Sequence, residues 1–186
     1  MAAGTVRPVT STDRFRQVLG HFCTGVTVIT TADGEGPAGF TCQSFAALSL
    51  DPPLVLFCPS KTSSTWRRIE AAGRFCANVL ADSQREVSRQ FASSVPDKFD
   101  GVGWQPSPGG LPVLDGTIAW VDAEVETVHD AGDHYLVIGR VTELDSESAG
   151  PPLLFYRGRF TVTEEERGAP EIVDTLLAWP RHADWM

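Results

Sequence analysis

Runs of β-branched and apolar residues, punctuated by Gly, Pro and Asp clusters, recur along this chain, with helical spacing only here and there. Phe15, Val18, Leu19 and Phe22 stand at i, i+3, i+4 and i+7 behind Thr12-Asp13, which predicts a first helix ended by Gly20 and Gly25. Val26 to Thr31 is β-branched throughout and predicts a strand, with a turn over Ala32 to Gly36. Residues 38 to 50 read as strand at the start and loop in the middle. Asp51-Pro52-Pro53 breaks them, and Leu54 to Cys58 is a fully apolar strand. Ser63-Ser64-Thr65 caps a short helix running to Ala72, and Gly73 terminates it. Phe75 to Leu80 is a further strand and Asp82 to Phe91 a helix carrying Val87 and Phe91 on one face. Residues 92 to 116, rich in Pro and Gly, read as loop. Two long strands follow, Thr117 to Val128 and His134 to Leu144, joined at Asp130-Ala131-Gly132-Asp133. Leu153 to Tyr156 and Arg159 to Thr163 complete the strands, and Ile172 to Trp179 in the tail has the composition of a docking helix.

A doubly wound sheet alternates strand and helix regularly, and this order does not. Consecutive strands with a few inserted helices predict a mainly β (α+β) fold, a closed or half-closed antiparallel barrel with short peripheral helices. No repeat or linker divides the 186 residues, so one domain over 12–163 is expected, with an N-terminal extension 1–11 and a C-terminal tail 164–186. A formal charge of -9 repels phosphate backbones and no basic patch offsets it, which argues against nucleic acid as a partner. The longest apolar runs fall far short of the roughly 20 residues of a membrane helix, and the N-terminus lacks the apolar core of a signal peptide. The expectation is a cytoplasmic protein without membrane contact.

Cys23, Cys42, Cys58 and Cys76 form no CxxC pair and each sits in a strand-like stretch, so buried reduced thiols are expected. Two disulfides are the poorer reading without a secretory signal. His21, His129, His134 and His182 are too scattered for a metal site. His21 reads as structural, whereas His134, at the mouth of a turn between long strands, is either a solvated turn residue or a functional one. Gly34 to Gly39 matches GxGxxG, but Pro37 interrupts it and a strand rather than a helix follows, so it is a hairpin turn. No GxSxG elbow supports hydrolase chemistry.

The segment Pro59-Ser60-Lys61-Thr62-Ser63-Ser64-Thr65 joins a buried strand to a helix start. It brings five hydroxyls and one of the two lysines of the chain. Unpaired amides and the positive end of the helix dipole favour an anion there. Capping needs one serine, so the surplus points to phosphate, without the glycines of a nucleotide-hydrolysing loop. Thr41-Cys42-Gln43-Ser44 offers hydroxyl and backbone groups to a flat heterocycle. Asn78, the sole asparagine, interrupts an apolar strand and needs partners from a ligand or a neighbouring backbone.

In these segments the chain resembles the short-chain flavin reductase family, the reductase components of two-component flavin-dependent monooxygenases. The resemblance is carried by TGVTVITT (24–31), the run from Gly39 to Cys58, SKTSSTW (60–66), FCANVL (75–80), GDH (132–134) and LLFYRGRF (153–160). The wording of FCPSK, GRFCANVL and LLFYRG is similar to reductase subunits of actinobacterial secosteroid hydroxylases. The resemblance implies a split β-barrel, a homodimer, FMN or FAD in a groove near the dimer interface, and NADH as reductant. It also implies a partner oxygenase reached by diffusing reduced flavin, in steroid or aromatic-compound degradation.

Carried over by position, Thr41, Cys42, Gln43 and Ser44 would face the isoalloxazine edge, with Ser49 nearby. Ser60, Lys61, Ser63, Ser64 and Thr65 would hold the phosphate or ribityl chain, and Asn78 and Val79 would flank ring or ribityl. Tyr156 and Arg157 would stand close to the flavin. His134 would orient the nicotinamide without acting as an essential acid. The cofactors carry the chemistry of such a reductase, so no catalytic triad is expected. Two other readings remain at this stage, a flavin-storage protein and a pyridoxamine-phosphate oxidase-like enzyme, and the GDH segment favours the reductase.

Overall fold

The computed structural model describes residues 11–146 and 150–163. Its centre is the β-branched run predicted first. β2 (Thr27–Asp33) is buried from Thr27 to Thr31 because it pairs on both edges, with β3 (Gly36–Cys42) in a hairpin and with β6 (Arg74–Val79). The GxGxxG stretch is the turn of that hairpin, where Asp33 Oδ1 accepts from the Glu35 amide at 2.8 Å and Gly36 takes φ +100. β9 (Ala119–Ala131) continues the sheet beyond β6. β10 (His134–Ser146) follows, then β5 (Pro53–Phe57) and β4 (Ala46–Leu50). The seven strands run in the order β3-β2-β6-β9-β10-β5-β4, with every pair antiparallel.

The two edge strands do not pair, yet the sheet curls until its ends share one core. Phe40 of β3 lies 6.2 Å from Phe57 of β5, and Phe57 meets Phe75 of β6 at 4.8 Å. α2 (Ser64–Ala72) plugs the open side, placing Trp66 6.0 Å from Phe57 and burying Ile69 beside it. This is the expected half-closed barrel. Each fully buried aromatic contributes about 1.5–3 kcal/mol relative to exposure. Gly139 on β10 is required by this core, because a Cβ there would stand 2.6 Å from the Phe75 ring.

A second core, formed by Val26, Val28, Leu80, Phe91, Leu114 and Leu153, fills the other side of β2 and β6. It is covered by α3 (Arg85–Ala92) and a three-stranded sheet of β1 (Thr24–Gly25), β11 (Leu154–Tyr156) and β12 (Arg159–Thr161). Among the described residues no helix is long and apolar enough to cross a membrane.

Several expectations need correction. α1 (Thr12–Leu19) is capped by Ser11, whose Oγ accepts from the Arg14 amide, not by Thr12 or Asp13. Its apolar stripe is not buried, with Phe15 51% and Phe22 77% exposed, because no described element packs over it. The single helix predicted over 82–91 is a 3-10 turn at Asp82–Gln84 followed by α3. The 92–116 loop contains a hairpin of β7 (Trp104–Pro106) and β8 (Pro112–Leu114), whose prolines sit opposite each other at its end and disguise it. All four thiols are free. Cys42 and Cys76 are buried as expected, Cys58 only partly, and Cys23 is exposed. The helix predicted over Ile172 to Trp179 lies outside the described residues.

Candidate functional site

β5 does not stop pairing where its strand ends. Tyr135 N donates to Pro59 O at 2.9 Å, Ser60 bridges to His134, and Lys61 N donates to Asp133 O at 3.0 Å. The segment after β5 is thereby held against the turn between β9 and β10. Ser63 then caps α2, its Oγ accepting from the Trp66 amide at 3.1 Å, while Ser60 Oγ and Thr62 Oγ1 lie 2.9 Å apart. The first turn of a helix leaves backbone amides without helical partners. Ser60, Lys61, Ser63 and Ser64 lie in that turn or just before it, half-buried or exposed. Thr65 does not join them. It is buried and its hydroxyl is directed at Gly39 O, 3.4 Å away.

The lysine of this ledge is already matched. Lys61 Nζ donates to Asp130 Oδ2 at 2.6 Å and lies 5.4 Å from the centre of the Tyr135 ring. Beside it, His134 Nδ1 is 2.7 Å from Asp133 Oδ1. The hydrogen bond from His134 holds the Asp133 carboxyl below the usual carboxylate range. An ionised Asp133 makes Nδ1 the donor, so Nε2 is the ring atom left for a ligand.

Pleating decides what Thr41 to Ser44 can reach. Cys42 faces inward and is 5% exposed, and burial pushes its thiol up. Thr41 on the opposite side donates to Ser88 O of α3 at 2.6 Å. Only Gln43 and Ser44, past the end of β3, stand free of the core. Ser44 Oγ accepts from Cys58 N at 2.8 Å, tying this loop to the start of the Pro59–Ser63 ledge. The same two residues line one wall of a largely apolar cleft of about 700 Å³, whose other walls include Phe15, Leu19, Phe22, Thr24 and Phe155. The Thr24 hydroxyl oxygen is buried there without a hydrogen-bond partner. Tyr156 and Arg157 form the hairpin beside the cleft. Arg157 takes φ +49 and its amide donates to Gly20 O at 2.9 Å, while His21 packs edge-on against Tyr156.

The remaining predicted residues are elsewhere. Asn78 is fully buried, and its amide is consumed by the protein: Nδ2 faces Val28 O, Thr30 Oγ1 and Pro112 O within 3.3 Å, and Oδ1 accepts from Leu114 N at 2.8 Å. Of the two sources of partners left open from sequence, the surrounding protein supplies them. Val79 lies between β2 and β9, and Ser49 sits opposite Leu54 on the edge strand β4. Thr41, Cys42, Ser49, Thr65, Asn78 and Val79 are therefore not brought to the cleft by their side chains. Sequence reasoning missed Asp130, Tyr135 and the Phe15, Leu19 and Phe22 wall. The unburied stripe of α1 and the acidic turn were visible, but nothing in the linear order aimed them at this site. A separate hollow of about 390 Å³, bounded by Ser107, Asp115 and Trp120, contains none of the predicted residues.

A heterocycle with a charged tail suits this arrangement. The cleft volume is within the range of small-molecule sites, its walls are apolar, and an unpaired hydroxyl and the Gln43–Ser44 pair supply the few polar groups such sites carry. The ledge supplies donors for an anion.

Comparison with known proteins agrees with this chemistry. Residues 19–164 match the family described as flavin reductase like domain. The chain is 56% identical over 158 residues to the reductase subunit HsaB of a flavin-dependent monooxygenase from Mycobacterium tuberculosis, covering 84% of each chain. It is similar to a crystal structure of a nitrilotriacetate monooxygenase component B homologue from Mycobacterium thermoresistibile, with TM-score 0.82 and 56% identity over 85% of this chain and 89% of that one. A third relative is the NADH:FAD oxidoreductase SgcE6 of Streptomyces globisporus, solved with NAD and FAD fragments, with TM-score 0.79 and 34% identity over 91% of this chain and 99% of that one.

Proposed function

The chain belongs to the flavin reductase like domain family, and from that premise we propose how its residues serve an NADH-dependent flavin reductase that supplies reduced FMN or FAD to a partner monooxygenase. The observation that carries the assignment is the joining of two unlike surfaces, an apolar cleft and a hydroxyl-rich helix start, through the Ser44–Cys58 hydrogen bond. Gln43 and Ser44 hold the polar edge of the ring, with Tyr156 and Arg157 beside it. Ser60, Lys61, Ser63 and Ser64 hold the phosphate, where backbone amides and the helix dipole favour negative charge. When bound, the flavin supplies the hydride acceptor. His134, oriented by Asp133, presents Nε2 to the nicotinamide side. The walls from α1 and β11 offer apolar surface to the ring, and no residue is required as an acid or base. NADH is the preferred donor, because the turn that carries His134, residues 130–135, brings carboxylates and no arginine to read a ribose phosphate.

Two copies of the chain form the working unit, and the oxygenase served acts in steroid or aromatic-compound degradation. The dimer rests on the exposed apolar surface, and the substrate class on the wording of FCPSK, GRFCANVL and LLFYRG.

The test is spectrophotometric. NADH absorbance at 340 nm should fall only after free FMN or FAD is added, and NADPH should be much the poorer donor. Flavin binding without NADH oxidation would favour a storage protein instead. Oxidation of pyridoxamine phosphate would favour the third reading.

A further inference from the structure

Lys61 is the cation of the proposed phosphate ledge, and it is not free. Resting on the reading that this ledge holds the flavin phosphate, we propose that Asp130 is a built-in counterion that competes with the phosphate for Lys61 and so sets how loosely flavin is held.

The geometry separates the residues that place Lys61 from the one that neutralises it. Its backbone is fixed by the bond from Lys61 N to Asp133 O, and its side chain lies over the Tyr135 ring and is 29% exposed. These contacts position the ammonium without Asp130. Asp130, by contrast, is 74% exposed at the end of β9 and reaches Lys61 only through its carboxylate, at 2.6 Å. The other carboxylate of this turn, Asp133, is bound by His134 and feels Lys61 only through space, without a hydrogen bond to it. An arriving phosphate therefore meets a lysine whose charge is already balanced, and it must displace or share the Asp130 interaction. Exposed ion pairs of this kind are weak, so the exchange is possible but lowers the net gain. The consequence fits the chemistry proposed above. A reductase whose reduced flavin leaves for another protein needs a site that binds the phosphate without retaining it. The chain accomplishes this with a charge supplied from the next hairpin, 69 residues away.

The experiment compares FMN and riboflavin titrations on the full chain and on Asp130→Asn, Lys61→Ala and the double variant. Asp130 is exposed at a turn, so its substitution leaves the core intact. Asp130→Asn should tighten FMN by about two- to fivefold and leave riboflavin unchanged. In the Lys61→Ala background the same substitution should lose most of that gain. Unchanged or weaker FMN binding by Asp130→Asn would overturn the proposal, since Asp130 would then be neutral or supportive. An equal gain with and without Lys61 would also overturn it, because general repulsion would explain the effect. If Lys61→Ala alone leaves FMN affinity unchanged, the phosphate ledge itself is wrong and the counterion role falls with it. That outcome is distinct from a ledge that depends on Lys61 but ignores Asp130.

Discussion

The Nδ1 atom of His134 is held 2.7 Å from an ionised Asp133, which leaves one ring nitrogen for a ligand. Its backbone meanwhile pairs with Ser60 of the phosphate ledge. The residue thus sits beside the phosphate ledge, while the cleft is joined to that ledge through Ser44 and Cys58. His134→Ala should raise the KM for NADH by about threefold to tenfold, the worth of one hydrogen bond, while the Kd for flavin stays constant. Steady-state kinetics with a parallel flavin titration separates the two. A variant with normal NADH kinetics and lost flavin binding would reverse the assignment. At this scale Ser60, Lys61, Ser63 and Ser64 were legible in the sequence, because capping residues and hydroxyls cluster visibly before a helix. Thr65 was not distinguished from them, since only the turn of the helix carries it inward to Gly39.

Between elements, the residue with the greatest structural consequence is Asn78. It lies on β6 and draws bonding groups from β2 and β8 into one buried network. The β7–β8 hairpin is short, and this amide fastens it over the sheet together with the Thr30 hydroxyl and the Ser107–Asp122 bond. Asn78→Ala would leave the Leu114 N–H buried without its partner, whereas the Pro112 carbonyl keeps the Thr30 hydroxyl at 2.6 Å. A loss of about 2 kcal/mol in unfolding free energy is expected, read from the midpoint of urea denaturation. Flavin binding by the folded fraction should persist. A variant with native stability but no flavin affinity would return Asn78 to the site. The lone asparagine in an apolar strand was conspicuous in the sequence. Whether a ligand or the chain itself satisfied it was not, because both hydrogen-bond its amide equally well on paper. The alternation Thr41, Cys42, Gln43, Ser44 was likewise readable as a polar cluster, while the pleat that sends its first two members to α3 and the core depended on the pairing of β3 with β2.

Over the whole molecule, apolar side chains remain uncovered in separate places. Val18, Leu19 and Phe22 are exposed on and after α1, and Leu48 and Leu50 on the edge strand β4. Leu144, near the far end of β10, is 63% exposed. An unpaired edge strand with exposed leucines and an unburied helix stripe are the features that a second copy of a chain covers in a symmetric dimer. Light scattering at micromolar concentration should give twice the chain mass of 20.1 kDa, and a clean monomer would defeat the dimer.

The order and type of most elements came from local pattern: β-branched runs, Gly and Pro breaks, and the serine cap of α2 are properties of neighbouring residues. The family resemblance was likewise carried by short contiguous segments. Curling the sheet until Phe40 meets Phe57 belongs to the tertiary structure. So do the spending of Asn78 on the core and the pairing of Lys61 with Asp130. Each of these joins residues far apart in the chain, and such contacts depend on strand register and packing, which local spacing does not encode.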